Sequence, residues 1–166
     1  TFKIAGKDFS SRLLVGTGKY KNKDVAVHAI DASEAEIVTV AIRRVELDKS
    51  LRSEPILNYI SPKKYTILPN TAGCFNAKEA IRIARLGREI LDGKNLLKLE
   101  VLKDKETLLP LMDETLLAAK ELVKDGFEIM VYCTDELEYA LKLEEIGCVA
   151  IMPLAAPIGS GQGIVN

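Results

Sequence analysis

Leu97-Lys98-Leu99-Glu100-Val101 is the stretch on which the fold turns. It alternates apolar and charged side chains, and successive side chains of a strand point to opposite faces. Leu97, Leu99 and Val101 therefore share one face, and Lys98 and Glu100 share the other. A strand covered on both sides in an open parallel sheet reads instead as an unbroken apolar run. An apolar face packed on helices and a charged face turned the other way suit the wall of a (βα) barrel near its active-site end. Desolvation there favours a neutral amine, the form that attacks a ketone to give a Schiff base, and a nearby carboxylate can move the protons that imine formation and enolisation require. The purely structural alternative is a buried Lys–Glu pair that holds the interior together.

Outward from this strand the chain has a rhythm. Short β-rich apolar runs recur at residues 13–15, 37–42, 65–68, 96–102, 127–132 and 149–154, which predicts six strands. Amphipathic stretches with a 3.6-residue period lie between most of them, at 24–32, 77–91, 113–123 and 135–146. Asp113, shortly after Pro110, is placed to cap the third of these helices, and Gly126 and Gly147 close the third and fourth. A weaker helix over 50–60 is broken at Pro55. Alternating strands and helices give an α/β fold with right-handed crossovers and a parallel sheet. The expectation is a single domain over 1–166, a (βα)8 TIM-type barrel with about six of its eight βα units present and the C-terminal part missing.

Several loops after strand ends carry residues suited to a site. Pro157-Ile158-Gly159-Ser160-Gly161-Gln162-Gly163 follows the sixth strand, and glycines let backbone N–H groups approach a phosphate closely; the alternative is a flexible turn. Gly16-Thr17-Gly18-Lys19 follows the first strand without the spacing of a nucleotide-binding loop and reads as active-site rim. Arg43 and Arg44 end the second strand, where a guanidinium could pair with phosphate or carboxylate or merely form a surface ion pair. Asn70 and Thr71 end the third, where an amide could orient a hydroxyl or the pair could form an N-cap turn. Tyr132 and Cys133 hold the same position on the fifth.

Composition narrows the partners. With 23 basic and 24 acidic residues, 5% aromatics and no polybasic run, the chain has no footprint for nucleic acid. No apolar stretch approaches the roughly 20 residues of a membrane helix, and the first ten residues lack the order of a signal peptide, so no membrane partner is expected. The three cysteines, Cys74, Cys133 and Cys148, suit neither a disulfide framework nor a zinc site, and they point to a reducing cytoplasm. Cys148 reads as core, and Cys74 and Cys133 as strand or loop ends. His28, the only histidine, lies in a helical stretch and reads as a surface or satisfied residue, which removes any His-based triad.

Val15-Gly16-Thr17-Gly18-Lys19-Tyr20, Leu68-Pro69-Asn70-Thr71-Ala72-Gly73, Lys98-Leu99-Glu100-Val101 and Met152-Pro153 through Gly163 occur in this order along the chain. Together they resemble the bacterial and plastid thiazole synthases of thiamine biosynthesis. The resemblance implies a barrel enzyme, a transferase without cofactor or metal. It would join 1-deoxy-D-xylulose 5-phosphate, dehydroglycine and sulfur from the C-terminal thiocarboxylate of a ubiquitin-like sulfur carrier protein into thiazole phosphate carboxylate. It implies Lys98 as the Schiff-base lysine, Glu100 as acid/base and Gly159, with Ser160 and Gly161, at the sugar phosphate. Arg43, Asn70 and Thr71 would be rim. It implies a homodimer or homotetramer in the cytoplasm, or in the plastid stroma for an algal source. The family's later Asp-Ala-Gly-Ile-Gly segment and Asn-Thr pair do not occur here, so part of the phosphate cup is absent and a C-terminal truncation is expected. Two other readings stay open: an aldolase-like Schiff-base barrel acting on a ketose phosphate, and an inactive subunit that docks a sulfur carrier.

Overall fold

The computed structural model describes residues 1–43 and 55–165, in two compact units, Thr1–Asn70 and Thr71–Asn166. The first opens on an antiparallel hairpin of β1 (Phe2–Ile4) and β2 (Lys7–Phe9), which the sequence reading does not contain. Its turn residues Ala5 and Gly6 both have positive φ, 48° and 76°, as a two-residue hairpin loop demands. Phe2 stands opposite Phe9 with ring centroids 5.8 Å apart. The Glu36 carboxylate accepts from the backbone N–H of Ser10 at 2.5 Å and of Ser11 at 2.8 Å, tying the hairpin's exit to the residue before Ile37.

The rest of this unit runs β3 (Leu14–Gly16), α1 (Lys23–Ala32), β4 (Ile37–Ala41), α2 (Ile56–Tyr59) and β5 (Thr66–Asn70). The three strands are parallel and neighbour one another in chain order. Asn22 caps α1 by accepting from Val25 N–H at 2.9 Å. The helix expected over 50–60 begins directly after Pro55, the natural place for a residue with fixed φ. Residues 50–54 and Arg44 lie outside the described residues.

The second unit runs α3 (Ala77–Ile90), β6 (Leu96–Leu99), α4 (Met112–Lys124), β7 (Glu128–Cys133), α5 (Leu137–Ile146) and β8 (Ala150–Pro153). Its strands too are parallel and in chain order. With right-handed crossovers, strands taken in order leave the helices on one face. Leu97, Leu99, Ile129, Val131 and Cys133 all lie at or below 1% exposure on that face. The helices α3, α4 and α5 pack against β6, β7 and β8 respectively, and α4 also packs on both neighbouring helices.

Asp113 is not the cap of α4. Leu111 is the N-cap, without a side-chain bond, and Asp113 sits in the first turn, where its charge favours the helix dipole. The start is set from outside the helix. Leu111 N–H donates to Val101 O at 2.8 Å, and Pro110 bridges Leu102, which fixes extended backbone just before the helix. Gly126 follows α4 with φ 83°, and Gly147 ends α5 with φ 102°, so both closures stand as expected. Cys148 is only half-buried, whereas Cys74 and Cys133 are fully buried, because the apolar run that holds Cys148 lies on the more open flank of β8. Among the described residues no helix is long and apolar enough to cross a membrane.

One side chain braces the segment that carries the charged pair. Thr71 is fully buried, and its Oγ1 both accepts from Glu100 N–H and donates to Glu100 O, each at 2.8 Å. Its own N–H donates to Lys98 O at 3.2 Å, and Leu102 N–H donates to Cys74 O at 2.8 Å. Thr71 therefore replaces a ladder partner just beyond the end of β6, and it is not part of an N-cap turn; Asn76 caps α3, accepting from Glu79 N–H at 2.9 Å. Thr71→Val keeps the shape but orphans two buried backbone groups, at a cost of roughly 2–5 kcal/mol. Urea denaturation should show the midpoint falling with an unchanged slope, and Thr71→Ser should recover most of it. A Thr71→Val protein within about 0.5 kcal/mol of wild type would refute the bracing role.

Candidate active site

The alternation in β6 resolves into two faces in the folded chain. Leu97 and Leu99 are committed to the helix layer, so Lys98 is turned to the opposite face, and Glu100 follows it one residue past the strand end. Lys98 Nζ lies 3.3 Å from Glu100 Oε1, with the lysine side chain 21% exposed and the glutamate 8%. The ammonium is thus reachable while its partner is nearly enclosed. At this spacing the two side chains form a direct ion pair.

Neighbouring strands add to the same face, because register partners in a parallel ladder point the same way. Lys98 is paired with Met130, and Tyr132, two residues on, is paired with Met152 of β8. Met130 and Tyr132 are both buried. Burial first, then the negative charge of Glu100 and the neighbouring Cys133 thiol, hold the Tyr132 phenol above its usual range, so it is an un-ionised donor at neutral pH. Its hydroxyl donates to Leu108 O at 3.2 Å. Burial also raises the Cys133 thiol and pushes Cys148 up to about 12. Neither is a thiolate near neutral pH.

The other residues singled out in the sequence fall into two further places. Gly159, Ser160 and Gly161 lie on the exposed segment after β8, in the same unit as Lys98, and that segment is closed on itself. Ser160 N–H donates to Pro157 O at 3.0 Å, and Val165 N–H to Ala155 O at 2.8 Å. Gly159 and Gly161 have φ of 77° and 68°, and nothing lies within 4 Å of where a Cβ would stand on either, so the glycines serve backbone conformation. Left-handed glycines in succession turn amides toward one side, the form of an anion-binding nest.

Arg43 and Asn70 belong to the first unit. Arg43 follows β4 and is half-buried. Asn70, at the end of β5, donates from Nδ2 to Thr39 Oγ1 at 2.8 Å, and Thr17 Oγ1 donates to Thr39 O at 3.1 Å. Thr39 thus links the rim segment 16–19 to Asn70, a role that sequence reasoning missed. Its signal was present as a single polar residue at alternate parity within Ile37-Val38-Thr39-Val40. Tyr132 was noticed in the sequence but not its loop contact, since a 24-residue separation in chain leaves no local trace. His28 is exposed on α1, as the sequence suggested.

Comparison with known proteins identifies the family. Residues 3–166 match the family model described as thiazole biosynthesis protein ThiG. The thiazole synthase of Alkalilimnicola ehrlichii is 58% identical over 166 residues, covering 100% of this chain and 63% of that protein. The thiazole synthase of Pseudomonas paraeruginosa is 59% identical over 165 residues, covering 99% of this chain and 62% of its own. The chain therefore spans less than two thirds of the length of these relatives. Among solved structures, the Amycolatopsis orientalis BexX/CysO complex superposes with a TM-score of 0.81 at 30% identity, over 99% of this chain and 66% of that one. The match along nearly the whole sequence, with relatives at 58–59% identity, places the chain in the thiazole biosynthesis protein ThiG family.

Proposed function

We propose that the full-length protein is a thiazole synthase, in which Lys98 captures 1-deoxy-D-xylulose 5-phosphate as a Schiff base. The observation that carries the reading is the 3.3 Å contact between a reachable lysine and an enclosed glutamate at a parallel strand's end. Glu100 takes a proton from the Lys98 ammonium, and the freed amine attacks the ketone carbon. The ketone oxygen leaves as water, with Glu100 returning the proton that departure requires. The imine then acidifies the adjacent carbon, and the same carboxylate removes its proton.

The remaining assignments follow from placement. The backbone amides of Gly159 and Gly161 and the Ser160 hydroxyl hold the sugar phosphate, as a loop with left-handed glycines after a strand is suited to do. Thr71, fully buried, braces Glu100 from beneath and does not stand at a rim. In the full-length protein the strands close into an eight-stranded (βα) barrel forming a single domain, and further phosphate contacts come from outside the present residues. Sulfur comes from another protein, a ubiquitin-like carrier with a C-terminal thiocarboxylate, and dehydroglycine is the third substrate. Two features support an external donor: Cys133 and Cys148 are held as thiols, and the similar BexX is in complex with CysO. The reaction belongs in the cytoplasm, where such thiols stay reduced.

Borohydride reduction of the full-length protein with 1-deoxy-D-xylulose 5-phosphate should leave an adduct on Lys98 by mass spectrometry, and Lys98→Arg should leave none. An adduct on another residue, or equal labelling of the variant, removes Lys98 from the chemistry. Cleavage of a carbon–carbon bond without any need for thiocarboxylate would identify an aldolase instead. Glu100→Gln should keep most of the trapped imine yet slow thiazole formation at least about 100-fold, since an amide cannot accept the proton. If adduct and turnover fall together, Glu100 only holds Lys98 in place.

A further inference from the structure

The segment between β6 and α4 is folded rather than loose. Lys103 N–H donates to Leu109 O at 2.8 Å, and Leu102 bridges Pro110 in antiparallel fashion, which closes residues 103–110 into a compact loop. Asp104 clamps its tip, accepting from Thr107 N–H at 2.6 Å and from Glu106 N–H at 3.1 Å. These bonds hold its carboxyl below the usual range. The loop also holds a costly conformation. Leu108 has φ 54°, where an L residue with a Cβ is disfavoured by about 1–2 kcal/mol. Such a position persists only when the surroundings hold it there.

The hold comes from the strand face that carries the charged pair. The Leu108 carbonyl accepts the Tyr132 hydroxyl at 3.2 Å, and Tyr132 is buried on β7 beside Glu100. A phenol that is un-ionised at neutral pH always has a proton to donate, so the bond holds throughout the working range. A tyrosine is rigid, with its hydroxyl at a fixed distance from the strand. It therefore fixes the height of the loop above the ends of β6 and β7.

We propose that Tyr132 is a positioning residue of the Lys98 site, latching loop 103–110 through Leu108 O so that the loop walls the approach to Lys98 and Glu100. The inference rests on the Schiff-base reading of Lys98. It goes beyond that reading by assigning substrate retention to a residue that touches neither the imine nor its proton. The positive φ of Leu108 puts conformational cost at the point where the Tyr132 hydroxyl binds, so losing that bond loosens the loop there while the Asp104 clamp holds its far side.

The test uses full-length wild type, Tyr132→Phe and Asp104→Ala. Tyr132→Phe removes one oxygen and keeps the ring, and Asp104→Ala loosens the same loop from its far side. Hydrogen–deuterium exchange should quicken in 103–110 by about tenfold in each, the factor for losing about 1.4 kcal/mol of protection. Borohydride trapping with 1-deoxy-D-xylulose 5-phosphate should need several-fold more substrate for half-maximal labelling, while the saturating rate stays near wild type. Unfolding midpoints are measured alongside, since a general loss of packing would quicken exchange everywhere. Unchanged exchange in Tyr132→Phe, an unchanged half-saturation, or a shift in Tyr132→Phe that Asp104→Ala does not share each overturns the latch and leaves Lys98 in place. A wild-type protein that yields no Lys98 adduct overturns the latch together with the Schiff-base reading.

Discussion

Everything in the second unit depends on β6 being unable to turn over. Leu97 and Leu99 are essentially fully buried against the helix layer, and flipping the strand would place them where Lys98 now stands and drive an ammonium among the helices. Exposing two buried leucines costs on the order of 3–6 kcal/mol, before any charge is desolvated. Side chains on the outer face therefore decide the orientation of side chains on the inner one. The lysine is aimed by its neighbours in sequence, and its own interactions need only tune it.

Tuning falls to Glu100 and to what holds Glu100. A carboxylate 8% exposed is expensive to isolate, and the lysine 3.3 Å away offsets that cost only while the backbone beneath it is fixed. Thr71 does the fixing through bonds to both the N–H and the carbonyl of Glu100. A hydroxyl suits the task because it is donor and acceptor at once, which an amide or a carboxylate in the same space could not reproduce with one atom. The contrast with Lys98 is instructive, since its side chain stays 21% exposed. One partner is fixed and enclosed, the other remains partly exposed.

Much of this was legible in the sequence because it is periodic. The strands centred on residues 13–15, 37–42 and 127–132 announced themselves through β-branched and aromatic runs, and α3 through its amphipathic face. What escaped was set by contacts distant in sequence or by unusual turn residues. The β1–β2 hairpin turns on Ala5-Gly6, not on an Asn-Gly signal, and its strands are only three residues each. The start of α4 is decided by Val101 and Leu102 in the preceding loop, so the capping pattern at Asp113 pointed two residues too late. Lys98 and Glu100 were readable as a pair because two residues on a strand share a face. Thr71 as their brace was not, since 29 residues separate it from Glu100.

The division of labour between the two faces also bears on where sulfur can enter. Cys133 points into the helix layer with Val131 and Ile129, away from the face of Lys98, and burial keeps its proton on. Cys148 precedes β8 and is held as a thiol still more firmly. Moving Cys133 to the Lys98 face would require reversing the parity of β7. On the proposed thiazole synthase reading, neither of these two thiols is the source of the sulfur. An external donor would then approach Lys98 past loop 103–110 under the latch proposed for Tyr132, whose hydroxyl donates to Leu108 O at 3.2 Å.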